Sequence, residues 1–253
     1  MKKIFVLSLV AFVIAASAAF AAYPTLLGPS GGVVLPDADV TAAGQWNVAV
    51  DYYDQTGTSS YDIELKHAIP VRVLYGMGDK LEVGAMFTFQ DTNDAKSDDI
   101  WSVNAKYLTS LTLGSFNWSV GGLYAKYTDW DDQILQFYFV GTRVLSEGSE
   151  TSPAVSGSIG VNWTQDDDTG YKADAFRPYF SLNAAFKGGT ELLAEYQFKN
   201  DNIYDQKAIA SIGVRHAFNP NWSAQIAFTN AEIVYGIDDY NFLLGVNYKL
   251  AAK

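Results

Sequence analysis

The stretch YNFLLGVNYKL, residues 240–250, decides the fold. Its even positions are Tyr240, Phe242, Leu244, Val246, Tyr248 and Leu250, all apolar, with rings towards both ends and aliphatic groups in the middle. Its odd positions are Asn241, Leu243, Gly245, Asn247 and Lys249. A period of two with one wholly apolar face is a β-strand. Soluble sheets alternate as well, but rings at both ends of an apolar band about one bilayer thick mark a strand that crosses an outer membrane, because aromatic side chains prefer the two membrane–water interfaces.

Working outward from that strand, the same alternation recurs along the chain. Strands are expected at about 45–53, 61–75, 81–90, 100–107, 116–127, 133–145, 154–165, 175–186, 191–199, 207–218, 222–229 and 240–250. The segment from Leu81 illustrates the rule, with Leu81, Val83, Ala85, Phe87 and Phe89 against Glu82, Gly84, Met86, Thr88 and Gln90. In 116–127 and 133–145 both faces are partly apolar, so inward and outward are open there. The fold class is all-β, an antiparallel up-and-down transmembrane barrel of twelve strands, with ten or fourteen as alternatives; single-chain bacterial barrels have even strand numbers. The connections sort by length and charge. Those after even-numbered strands are mostly tight, such as 76–80 and 219–221, whereas those after odd-numbered strands are generally longer and hold 17 of the 28 acids with only Lys96 and Lys172 as bases. Short turns belong to the periplasmic side and longer loops to the outside.

The ends carry different information. Residues 1–21 read as a secretory signal, with Lys2 and Lys3, an apolar run from Ile4 to Ala16 and an Ala19-Phe20-Ala21 cleavage site. Without it, 15 basic residues face 28 acidic ones, a net charge of −13 that disfavours nucleic acid and anionic headgroups as partners. There is no cysteine, hence no disulfide or thiol chemistry. Aromatics at 15% with a mean hydropathy near zero suit a barrel that exposes its rings to lipid. Residues 22–44 are rich in Gly and Pro, and Pro29 and Pro36 prevent a regular spanning strand. This lead-in is either a periplasmic tail or a segment folded into the barrel mouth; the run Val33-Val34-Leu35 favours the mouth. The barrel spans 45–250, and 251–253 form a short tail.

Two groups of residues bear on function. Inward parity places Asp51, Asp62, Glu64, Glu82, Glu191 and Glu195 in the lumen with Lys66, Arg72, Lys106, Arg177, Lys199, Lys207, Arg215 and Lys249. Such a set could orient a permeating ion or sugar, or could cross-link a closed lumen through ion pairs. The acidic loops form the other group: Asp129, Asp131 and Asp132, and Asp166, Asp167 and Asp168, could bind Ca²⁺ or Mg²⁺ through carboxylate oxygens. Neither run has the spacing of a calcium loop, and no other cofactor is implied. Catalysis is not expected: the two histidines, His67 and His216, have outward parity, while Ser211 and Ser223 have inward parity.

The stretch from Gly28 to Phe87 resembles the start of YjbH-type and related porin-like outer-membrane barrels, which have a Gly-Pro-rich lead-in and a Tyr-Gly-x-x-Asp-x-Leu-Glu turn. The matching residues are Gly28, Pro29, Gly32, Pro36, Gly44, Tyr75, Gly76, Asp79, Leu81, Glu82 and Gly84. The resemblance implies an outer-membrane protein with a link to polysaccharide export, although this chain is much shorter than the large members of that family. Residues 244–250 also resemble the C-terminal signal read by the outer-membrane assembly machinery, except that Ala251-Ala252-Lys253 follow where a terminal Phe is commoner. The expected function is a narrow porin-like channel for small hydrophilic solutes. The alternative is a non-conducting surface barrel whose acidic loops bind cations, with outer-membrane lipid and lipopolysaccharide as partners, and a lipid-acting barrel enzyme is a weaker third.

Overall fold

The computed structural model of the protein describes residues 23–54, 57–58, 64–92, 99–128, 133–168, 171–200, 207–231 and 241–250. The signal segment, Asp62, Asp129, Asp131, Asp132, Tyr240 and the tail lie outside the described residues, as do the side chains of Glu64, Asp166, Asp167 and Asp168.

Twelve strands close into one antiparallel barrel: β1 (Trp46–Asp54), β3 (Glu64–Met77), β4 (Leu81–Thr92), β5 (Ile100–Leu113), β6 (Phe116–Tyr127), β7 (Gln133–Ser146), β8 (Ala154–Asp168), β9 (Tyr171–Ala185), β10 (Thr190–Gln197), β11 (Ile209–Ala217), β12 (Trp222–Thr229) and β13 (Asn241–Leu250). The two-residue piece β2 (Gly57–Thr58) pairs with Leu65 and Glu64 on β3. Every strand pairs with its sequence neighbour, and β1 closes the ring against β13 from Trp46↔Leu250 to Asp54↔Phe242. Closure satisfies the backbone donors and acceptors that an open edge would leave bare in lipid.

The alternation converts directly into two surfaces. On β13, Leu244 and Val246 are exposed outward while Asn241, Leu243, Gly245 and Asn247 are buried inward. Outside, rings collect at two levels. Trp46 packs on Tyr75 and Trp222 on Tyr248, each at 4.5 Å between centroids, at the end that carries the tight turns. Phe228 and Phe242 pair at 5.6 Å towards the end that carries the longer connections. Between these levels lie exposed aliphatics such as Val50, Val103, Val214 and Ile226. From Phe242 to Tyr248 the strand climbs about 20 Å, which with flanking rings suits an apolar band about 25 Å tall. The two ambiguous strands are also settled: β6 turns Leu123, Ala125 and Tyr127 inward, and β7 turns Tyr138 and Val140 inward.

Some strand ends differ from expectation. β5 runs on to Leu113 instead of stopping at 107, and its register slips between Leu108 and Thr112 before it pairs with Asn117 and Phe116. The connection is therefore the pair Gly114-Ser115, both with positive φ (65° and 62°), which suits the twist of a two-residue hairpin turn. β10 ends at Gln197, so Lys199 lies beyond the wall, exposed, and does not line the lumen as its strand parity had implied.

Candidate functional site

The lumen is occupied by the chain's own lead-in. Residues 23–45 enter at the tight-turn end, where Gly44 donates its amide to the Gly76 carbonyl at 2.8 Å and Gly76 donates to that of Gln45 at 3.0 Å. Inside, the segment folds back on itself, with Leu26 donating to the Val33 carbonyl at 2.7 Å and Gly32 to that of Leu35 at 3.0 Å. Tyr23, Leu26, Val33, Val34, Leu35 and Ala38 are each 2% exposed or less, so the apolar run forms the core of the barrel interior.

The segment contains little regular structure, so its backbone groups need partners from the wall. Glu195 on β10 supplies the central one: its carboxylate accepts from the amides of Val33 and Val34 at 2.9 Å and of Leu35 at 3.3 Å. A β-carbon on Gly32 would run into that carboxylate, so a larger residue there would displace Glu195 from the amides it accepts from. Glu82 on β4 accepts from Ser30 N at 3.0 Å, from Thr41 N at 2.8 Å and from the Thr41 hydroxyl at 2.7 Å. Lys106 on β5 donates to the Ser30 carbonyl at 2.9 Å and to its hydroxyl, and its ammonium lies 3.7 Å from Glu82. Arg72 on β3 pairs with Asp51 on β1 and donates to the carbonyls of Pro24 at 2.9 Å and Thr25 at 2.6 Å. Arg215 on β11 bonds Glu191 at 3.1 Å, donates to the carbonyls of Gly31 and Gly32, and stacks over the Tyr23 ring at 4.2 Å.

Among the lumen candidates, Asp51, Arg72, Glu82, Lys106, Glu191, Glu195 and Arg215 are thus buried around one segment. Arg177 on β9 is buried nearer the other end and donates to the carbonyls of Phe198 at 3.3 Å and Lys207 at 2.6 Å. Lys207 lies just before β11 and is exposed, and Lys66 is exposed near the start of β3. Lys249 is half-buried at the tight-turn end. Sequence reasoning missed the uncharged partners: Ser119 donates to the Ala38 carbonyl at 2.6 Å, Thr142 accepts from Ala38 N at 2.8 Å, and Tyr179 donates to the Pro36 carbonyl at 3.1 Å. Inward parity was the only signal for them. Asp37, on the lead-in, is pushed up to about 6, chiefly by burial, with Lys106 opposing and Asp39 and Glu82 adding.

Around the histidines, His67 stacks on Tyr52 and lies 3.7 Å from Asp91, and His216 meets the Thr190 hydroxyl at 3.0 Å. Ser211 bonds Thr229 at 2.7 Å on the lumen side. Among the described residues, no cluster of three or more carboxylate or imidazole ligands could hold a metal ion.

A closed, ring-girdled barrel with charged side chains turned inward has the fold of porin-like outer-membrane β-barrels. No protein-family model and no curated protein matches the chain. Solved structures do match in fold. The NanC porin aligns with a TM-score of 0.58 at 11% identity, over 81% of this chain and 100% of that one. The KdgM porin gives 0.56 at 10%, over 81% and 98%. An outer-membrane channel from Pseudomonas putida F1 gives 0.52 at 14%, over 86% and 100%. At these identities the likeness is one of fold.

Proposed function

We propose that this chain resides in the outer membrane and acts as a narrow porin-like channel for small hydrophilic solutes, held shut by residues 23–45. The likeness of fold to porins and a channel supports the first part. The observation that carries the second is Glu195, which gathers three successive lead-in amides inside the lumen. The experiment is planar-bilayer recording of the refolded protein with and without residues 22–44. Steady current from the shortened form and a closed or flickering full-length form is the expected result. No current from either form overturns the reading.

The same filling of the lumen favours a second reading, a non-conducting surface barrel. In that case the acidic connections around Asp129, Asp131 and Asp132 and around Asp166, Asp167 and Asp168 would bridge to lipopolysaccharide phosphates through Ca²⁺ or Mg²⁺. Thermal stability in outer-membrane lipid that does not respond to millimolar Ca²⁺ or to chelator removes this reading. The export role implied by the YjbH-type resemblance would require a polymer to pass, and with residues 23–45 in place that requires the lead-in to leave.

A further inference from the structure

The lumen wall is divided by chemistry. Apart from Arg177 on β9, its buried charged side chains stand on β1, β3, β4, β5, β10 and β11, where they hold the lead-in or one another. Among the described side chains, the inward positions along β6, β7, β8 and β9 carry a single charge, Arg177, towards the loop end. The rest of that wall offers hydroxyl, amide, apolar and glycine positions: Gln136 and Thr142 on β7, Ser158 and Asn162 on β8, Ser181 and Asn183 on β9.

Two cavities touch this wall, one on each side of the lead-in. On the loop side a cavity of about 130 Å³ is bounded by Leu26, Leu35, Leu123, Gln136, Arg177 and Lys207, among others. On the turn side a polar cavity of about 410 Å³ is bounded by Asp37, Thr142, Ser156, Ser158, Ser181 and Asn183, among others. The register places two rings between them. Tyr138 lies beside Asn162 and two inward positions from Thr142, with Val140 between, and Tyr179 lies opposite Gly160 and one inward position from Ser181. The rings are 4% and 3% exposed, and each lies over a glycine, Tyr138 over Gly121 and Tyr179 over Gly160. Tyr179 is fastened to the lead-in through Pro36, whereas the Tyr138 hydroxyl has no partner among the described residues.

We infer that the β6–β9 wall is a permeation path beside a stationary lead-in, with Tyr138 and Tyr179 as its gate, and that it suits small uncharged hydroxyl-bearing solutes. This rests on the channel reading above and names its route and solute class. Side-chain rotation is enough to join the cavities, and it leaves the charge-assisted bonds to Glu195, Glu82 and Lys106 intact. Ser156, Ser158, Ser181 and Asn183 can exchange hydrogen bonds with a passing polyol. The acids Asp37, Asp39, Glu191 and Glu195 at the turn-side cavity outnumber Arg215 and disfavour anions there, whereas Arg177 and Lys207 at the loop-side cavity disfavour cations, so an uncharged solute meets neither barrier.

The test needs a lead-in that cannot leave. The Val33 Cγ2 atom lies 3.1 Å from where a β-carbon on Gly213 would sit, and the chain has no cysteine, so Val33→Cys with Gly213→Cys gives a tether that forms only on oxidation. Into the oxidised tethered protein go Tyr138→Ala and Tyr179→Ala, and liposome swelling is followed with erythritol, arabinose and gluconate. Swelling in erythritol and arabinose several-fold faster than for the tethered protein with both tyrosines, and a smaller gain in gluconate, is the expected result. If the alanine pair does not refold, Tyr138→Leu with Tyr179→Leu keeps an apolar cover on the two glycines and opens the same space. No gain in the tethered variants, while the form lacking residues 22–44 admits the same sugars, overturns the path and leaves the channel standing. No entry into either form removes the channel itself.

Discussion

At the scale of single residues, the lead-in is held by carboxylates acting as acceptors for backbone amides. Removing Glu195 leaves the amides of Val33, Val34 and Leu35 without their acceptor inside the barrel. Hydrogen bonds to charged groups contribute about 1.5–3 kcal/mol each, so Glu195→Ala should loosen the segment by roughly 3 kcal/mol or more. Frequent opening bursts in the bilayer current should follow, and a trace identical to the parent protein would show that these bonds do not seat the lead-in. Asp37 gives a pH dependence of definite sign. Its folded value, about 6, lies above the ordinary carboxylate range, so folding favours its protonated form. The stability it contributes is fully present below about pH 4 and is lost as pH rises through about 6. Closed time should therefore shorten from acid to neutral pH, and Asp37→Asn should flatten that change. A variant that keeps the full pH response places its origin elsewhere.

At the scale of elements, β13 shows what alternation can and cannot reveal. Val246 faces outward at the middle of the strand and pairs with Val50 on β1 and Ala224 on β12. A cation there meets the centre of the apolar band, so Val246→Arg should cost about 2–4 kcal/mol, whereas Ser223→Arg, which points into the polar lumen near the tight turns, should cost less. Urea titrations of folding into lipid vesicles compare the two, and equal costs would contradict the assigned faces. The pattern was legible wherever one face met lipid and the other met polar groups, as in β4 and β13. It was not legible in β6 and β7, because Leu123, Ala125, Tyr138 and Val140 line an interior that is partly apolar. Nor did it reveal the extension of β5, where Leu111 and Leu113 are exposed and pairing is set by the Gly114-Ser115 turn. The lead-in has no period to read. Its position follows from long-range bonds between backbone groups and the side chains of eight strands, which the sequence records only as isolated inward charges and hydroxyls.

At the scale of the whole molecule, the barrel and its lead-in divide the electrostatic work unequally. The pairs Arg72–Asp51, Lys106–Glu82 and Arg215–Glu191 each join wall to wall, so they persist when residues 23–44 are removed. Glu195 differs, because the contacts that satisfy its carboxylate are amides of the lead-in. Without the segment, the middle of the lumen holds four acids, Asp51, Glu82, Glu191 and Glu195, against three bases, Arg72, Lys106 and Arg215. The unmatched charge then belongs to Glu195, in a bore narrow enough for one carboxylate to act on passing ions. The shortened form should accordingly prefer cations modestly, and Glu195→Gln in that form should bring the preference close to zero without closing the pore. Reversal potentials under a KCl gradient measure both. An anion preference in the shortened form would mean that Arg177, near the loop end, outweighs Glu195, and that the narrowest part of the open lumen lies at that end.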